Sequence, residues 1–236
     1  MKKFSKKELL HTYKKMYLSR KLDDRQLILL KQGKGFFHIG ASGHEAAQIA
    51  ASKFINSETD YSYPYYRNQA YCIGLGMSSR EILLSFLAKK DDPNSGGRQM
   101  PQHFSHPDLN IVSQSSPTGT QYLQAVGAAF VLKKKENGAI AYVSSGEGTT
   151  SQGDFHEALN WASREKAPVI FHVENNGYAI SVPIKEQTAG ESIYKISSGY
   201  ENLARISVDG TNYFESLLAF KQSVDRARKG LGPTLI

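Results

Sequence analysis

From Gln121 onward, apolar runs of strand length alternate with stretches of helical length, and this alternation constrains the fold more than any other feature of the chain. A helix to about Lys135 precedes the apolar run 139–143, a helix 154–164 leads to the run 169–173, and 205–208, a helix 213–228 and 234–236 complete the pattern. Short strands separated by whole helices imply βαβ crossovers, so the pattern predicts an α/β fold, a doubly wound parallel sheet, in a single domain over residues 1–236. A chain of 236 residues can bury the core such a domain needs. The longest apolar stretch, Ala125 to Leu132, is eight residues, far short of the ~18 that would span a membrane. The single cysteine, Cys72, excludes an internal disulfide or a multi-thiolate zinc site and suits a reducing compartment.

The first half reads differently. Ser5-Lys6-Lys7-Glu8 has the form of a capping box and opens an N-terminal helical arm, with Leu9, Leu10, Tyr13, Tyr17 and Leu22 as its expected buried side. Nine of the basic residues behind the net charge of +7 lie between Lys2 and Arg25. On the outer face of that helix they read as a solvated surface rather than a nucleic-acid site. A helix beginning almost at residue one is structure rather than address, which predicts a cytoplasmic bacterial protein. A glycine-punctuated loop, 33–43, precedes a small-residue helix at 43–51, and Ser78-Ser79 caps a helix through Leu87. The stretch 89–120 carries seven prolines and glycines and little periodicity, the mark of a working loop rather than a connector.

The sharpest local feature is the run 139–143 entering Ser-Ser-Gly146-Glu147-Gly148-Thr149 and then a helix. In an open parallel sheet ligands sit at the carboxyl ends of strands, where glycines let backbone amides approach a phosphate. A glycine-rich connection without a ligand would look the same, and the spacing fits no common nucleotide motif. The next strand ends in Glu174-Asn175-Asn176-Gly177-Tyr178, one helix and one strand after Gly148, so both turns fall at one sheet edge. A carboxylate on one and an amide oxygen on the other are the hard ligands that a magnesium ion on a diphosphate requires, although paired asparagines before a glycine also suit a plain turn.

Gly-Glu-Gly, about twenty-six residues and then Asn-Asn resembles the thiamine-diphosphate signature, usually seen with aspartate in the middle position. The segment from Gly146 to Ser181 is similar to the α subunit of the decarboxylating component of 2-oxo acid dehydrogenase complexes, the branched-chain type more than the pyruvate type. Further blocks match in order: GHEAAQIA at 43–50, YPYYRNQ at 63–69, GRQMPQH at 97–103 and SSPTGTQ at 115–121.

The resemblance implies Glu147, Asn176 and the main-chain carbonyl of Tyr178 as magnesium ligands, with Gly146, Gly148 and Thr149 at the diphosphate and Tyr66 and Arg67 as a phosphate-binding pair. It places Ser116 and Thr118 at the aminopyrimidine ring, and Ser115, Pro117, Thr120 and Gln121 at a potassium ion that braces their loop. His38 and His103 lie in loops that the family brings near the reacting carbon, as proton donors or substrate-carboxylate contacts. His11, His44, His156 and His172 read as packing or surface residues. Glu174 departs from the branched-chain pattern, in which an arginine precedes the two asparagines and contributes to diphosphate binding; a carboxylate cannot make that contact, so it is left out of the site, although other members of the wider family carry an acid here.

The activity so implied is decarboxylation of a branched-chain or related 2-oxo acid with transfer of the acyl unit to a lipoyl-bearing acyltransferase. The ring-activating glutamate would come from a pyrimidine-binding β subunit, or from a β-like C-terminal part, in a heterotetramer or a dimer of fused chains. Family members continue past the strand that here ends at Ile236, so the chain is expected to be C-terminally incomplete relative to them, either truncated or the first part of a longer polypeptide. A pyruvate- or acetoin-cleaving relative would share every cofactor residue. A basic binding module on a degenerate cofactor fold would be marked instead by salt-dependent DNA binding.

Overall fold

The structure, a computed structural model, describes residues 4–236. Lys2 and Lys3 of the basic run lie outside the described residues. In chain order the elements are α1 (Lys6–Lys31), α2 (Glu45–Ser52), β1 (Tyr61–Tyr63), α3 (Gln69–Leu75), α4 (Ser79–Phe86), α5 (Thr120–Lys134), β2 (Ala141–Gly146), α6 (Gly153–Arg164), β3 (Val169–Glu174), β4 (Tyr178–Ala179), β5 (Val182–Pro183), α7 (Ile184–Gln187), α8 (Ile193–Ile196), β6 (Ala204–Arg205), α9 (Tyr213–Arg228) and β7 (Thr234–Leu235). Five strands form one parallel sheet in the order β1-β2-β3-β7-β6, and β4 and β5 make a small antiparallel hairpin.

Helices cover both faces of the sheet, and the strand residues divide between them with the period of two that a pleated strand imposes. Ala141 and Val143 of β2, with Val169 and Phe171 of β3, pack under Tyr122, Val126 and Leu132 of α5 and Phe155 and Leu159 of α6. Tyr142 and Ile170 face the other way, against Ala50 and Ala51 of α2, Tyr71 and Cys72 of α3, and Phe220 and Val224 of α9. Tyr71 stacks on Tyr142 with ring centroids 4.3 Å apart. Complete burial pushes the Cys72 thiol up, which keeps it a packing residue rather than a nucleophile.

Four elements correct the sequence reading. The capping box at Ser5 and Glu8 forms, but of the five residues expected on the buried side of α1 only Leu22 is buried. Tyr13 is 62% exposed and Tyr17 53% exposed, and the two stack on each other outside the fold. The packed face carries Thr12, Ser19, Asp23 and Gln26 beside Leu22 and Leu29. Its polar groups are only partly paired: Asp23 accepts from Ser42 and from the Ala41 amide and the Ser19 carbonyl accepts from Gln69, while the Ser19 hydroxyl and the Gln26 side-chain amide are buried without a partner. The strand expected over 139–143 instead runs over Ala141–Gly146, because Ser144 and Ser145 are buried with partners in Asn68 and Tyr122. A three-residue strand, β1, and the helix α3 went unread among the tyrosines that follow Asp60.

The stretch 89–120 has one short 3-10 turn, Pro107–Leu109, and is otherwise irregular. Side-chain bonds hold it: Asp92 accepts from the amides of Asn94, Ser95 and Gly97. An isolated bridge from Ile111 to Ser62 attaches it to β1, and another pairs Ile111 with His106 within the stretch.

A buried ion pair closes the far edge. Asp60 is fully buried and takes both terminal nitrogens of Arg228, at 3.0 and 2.6 Å, plus the amides of Asn56 and Ile140. Asp60→Ala would leave the amides of Asn56 and Ile140 without their acceptor and the partly exposed Arg228 with only the Gly138 and Phe54 carbonyls, so it should lower unfolding free energy by about 1–3 kcal/mol in urea denaturation. A change under 1 kcal/mol would show the pair to be dispensable.

Candidate functional site

The three strands β1, β2 and β3 run side by side and deliver their carboxyl ends to one edge. The β2–β3 register pairs Gly146 with Glu174, so the residues that follow, Glu147 and Asn175-Asn176, leave the sheet next to each other. After Gly146 the chain turns at once into a five-residue 3-10 helix, Glu147–Ser151, whose first amides have no partner within the helix.

Glu147 is 1% exposed. One carboxylate oxygen accepts from the Asn176 amide at 3.3 Å, and the other, Oε1, is buried with no hydrogen-bond partner. A carboxyl group with an unsatisfied buried oxygen is a group waiting for a cation or a donor. Asn176 folds back so that its side-chain oxygen accepts from the Tyr178 amide at 3.0 Å, which brings the backbone of Tyr178 to the same turn. Gly148 has to be glycine: a Cβ there would lie 2.7 Å from the Cβ of Ala179 on β4. No cluster of three or more His, Cys, Asp and Glu that could hold a metal exists among the described residues, so any metal here would rest on one carboxylate, an amide oxygen and a carbonyl.

The second component is the turn after β1. Arg67 donates from Nη1 to the Gly40 carbonyl at 2.6 Å, while its Nε is buried without a partner. The guanidinium lies 5.6 Å from the Tyr66 ring centroid. A half-buried guanidinium with a buried, unpaired Nε suits a phosphate oxygen. Arg67 and Glu147 thus lie in the turns that follow neighbouring strands, each with one buried polar atom unpaired, a pairing that suits a diphosphate and a divalent cation.

The third component is the loop before α5. His103 is buried, and Ser116 sits 3.1 Å from its Nε2, which joins two residues read separately from the sequence. With the hydroxyl donating to Nε2, the proton rests on Nδ1, 3.3 Å from the Pro101 carbonyl. Thr118 is exposed. Thr120 donates to the Pro117 carbonyl, and Gln121 accepts from the Gly119 amide while donating to the Ser144 carbonyl at the end of β2. Ser115 lies half-buried beside them. These bonds set the loop against β2.

His38 takes a different position. Its Nε2 lies 2.8 Å from Asp23 of α1, and its ring packs edge-on to Phe86. Burial pushes the Asp23 carboxyl up, but bonds from His38, Ser42 and Ala41 outweigh it and hold it below its ordinary value. Gln102 bonds the amide and carbonyl of Ile39 and so laces the His38 loop to the His103 loop.

Several residues at the site were not singled out from the sequence. Gln187 of α7 donates to the carbonyls of Glu147 and Gly148 at 3.0 Å and clamps the 3-10 turn from outside. Gln48, Asn68 and Tyr65 converge with His44 on Glu174. Only their presence in the blocks 43–50 and 63–69 hinted at a role.

The profile of a family described as "Dehydrogenase E1 component" matches residues 13–236. Over 229 residues, 97% of this chain and 69% of the relative, it is 44% identical to the "2-oxoisovalerate dehydrogenase subunit alpha" of Bacillus subtilis (strain 168). It is 37% identical over 229 residues to the "Pyruvate dehydrogenase E1 component subunit alpha" of Staphylococcus aureus (strain COL), covering 59% of that protein. It is 36% identical over 231 residues to the protein of the same description from Bacillus subtilis (strain 168), covering 58%.

Proposed function

This chain belongs to the dehydrogenase E1 component family, and from that premise we propose that it holds the diphosphate end of thiamine diphosphate for decarboxylation of a branched-chain 2-oxo acid, with the acyl unit passing to a lipoyl group. The observation that carries this reading is the pair of unsatisfied buried atoms, Glu147 Oε1 and Arg67 Nε, on adjoining strand ends. The preference for a branched-chain acid rests on the 44% identity to the 2-oxoisovalerate enzyme subunit against 37% to a pyruvate one.

When bound, thiamine diphosphate supplies the electron sink that lets the 2-oxo acid lose carbon dioxide. The chain's own residues bind and orient. Glu147, Asn176 and the Tyr178 carbonyl hold magnesium, a cation that favours a few hard oxygen ligands alongside phosphate oxygens and water. Gly146, Gly148 and Thr149 bring backbone amides to the diphosphate, and Arg67, beside Tyr66, neutralises one phosphate oxygen. Ser116 and Thr118 line the loop toward the ring end of the cofactor, and Ser115, Pro117, Thr120 and Gln121 brace it around potassium. His103 holds its Nε2 toward Ser116, ready to exchange a proton there, whereas His38, paired with Asp23, reaches substrate only if that pair opens. The partner supplies the ring-activating carboxylate from a pyrimidine-binding β subunit or β-like part, in a heterotetramer or fused dimer. The setting proposed is the bacterial cytoplasm, on the origin of the relatives.

Arg67→Ala tests the phosphate assignment. It should weaken thiamine diphosphate by about 1.5–3 kcal/mol, the range for a hydrogen bond to a charged group, and thiamine hardly at all, by calorimetry with the partner present. Equal losses for the two ligands would refute the contact.

A further inference from the structure

Glu174 is 5% exposed at the end of β3 and gathers donors from two other segments, the start of α2 and the turn between β1 and α3. Asn68 Nδ2 lies 2.6 Å from Oε1; on Oε2 are the Tyr65 hydroxyl at 3.0 Å, Gln48 Nε2 at 3.0 Å and His44 Nδ1 at 2.7 Å.

What these bonds hold is the segment around Arg67. Tyr65 and Asn68 flank it and bond Glu174 directly, and Gln48 Nε2 bridges Glu174 to the Arg67 carbonyl at 3.1 Å. The Asn68 oxygen takes the Ser144 hydroxyl, so the same segment is tied to β2 just before Gly146. Gln48 Oε1 meanwhile accepts from the Ala70 and Tyr71 amides at the start of α3. The guanidinium itself has one anchor, the Gly40 carbonyl, so its aim depends on where its backbone is held.

Resting on the function proposed above, we propose that Glu174 is a positioning residue that presets the phosphate-binding arm: through Asn68, Tyr65 and Gln48 it fixes the backbone on both sides of Arg67 so that the guanidinium faces the Glu147 turn before ligand arrives.

Calorimetry of thiamine diphosphate with magnesium, on the chain with its pyrimidine-binding partner, tests this with E174Q, R67A and the double variant. Glutamine keeps the shape but turns an NH2 toward the donors of Gln48 and Asn68. E174Q should weaken binding roughly tenfold, and in the R67A background the same change should add less than twofold, because it acts through an arm already removed. Asn68→Ala, which cuts the link from the other side and leaves Glu174 three donors, should show the same coupling and covers the case in which E174Q fails to fold. Wild-type affinity in E174Q, or losses that simply add to those of R67A, would overturn the proposal. If the unaltered protein bound no thiamine diphosphate, or R67A bound it normally, the underlying functional reading would fall instead.

Discussion

Glu147→Ala is expected to abolish magnesium-dependent binding of thiamine diphosphate while leaving the fold intact. Glu147 is the one carboxylate in the turn after β2, and its free oxygen is buried without a partner, so the side chain contributes little to the folded chain that alanine would forfeit. The contact it does make, to the Asn176 amide, is long at 3.3 Å. Losing a group that only orients a metal ligand costs 10–100-fold in affinity; losing the single charged ligand should exceed roughly 100-fold. Relieving an unsatisfied buried carboxylate should also leave the urea midpoint unchanged or slightly raised. Unchanged affinity in the presence of magnesium would remove Glu147 from the metal site.

The second large effect concerns assembly. The chain with saturating cofactor and magnesium, but without a pyrimidine-binding partner, is expected to release no carbon dioxide from a branched-chain 2-oxo acid above the cofactor's own background. Its site residues account for metal, diphosphate and a bracing loop, and the carboxylates at the site are committed elsewhere: Glu147 to the metal turn, Glu174 to Asn68, Tyr65, Gln48 and His44, and Asp23 to His38 and Ser42. Adding the partner should restore turnover, measured as carbon dioxide release. Equal rates with and without it would show that the chain activates the cofactor ring by itself.

How much of this was legible in the sequence follows from how each feature is encoded. The helix at Tyr213–Arg228 and the alternation behind the parallel sheet could be read because periodicity and length are local properties. So could the Glu147 and Asn176 turns, since glycine and asparagine there answer to backbone geometry and to the residues that chemistry needs. The buried face of α1 was not legible, because polar Thr12, Ser19 and Asp23 are buried against segments distant in sequence, Asp23 accepting from Ala41 and Ser42, while Tyr13 and Tyr17 pair outside. The polar end of β2 was hidden for the same reason: Ser144 looks like a loop residue until Asn68 and Gln121 are folded against it. Glu174 was judged only for what it could not do to a phosphate. Its inward role depends on side chains from residues 44 to 68 meeting at the end of β3, and nothing local in 169–178 announces that.

Whether the carboxyl ends of β1, β2 and β3 hold a magnesium diphosphate is decided by titrating thiamine diphosphate into the chain and its partner in a calorimeter, once with magnesium and once with the metal chelated. Saturable binding that requires magnesium, and that thiamine cannot match, is the predicted result. Binding of equal strength with the metal removed, or equal affinity for thiamine, would contradict it.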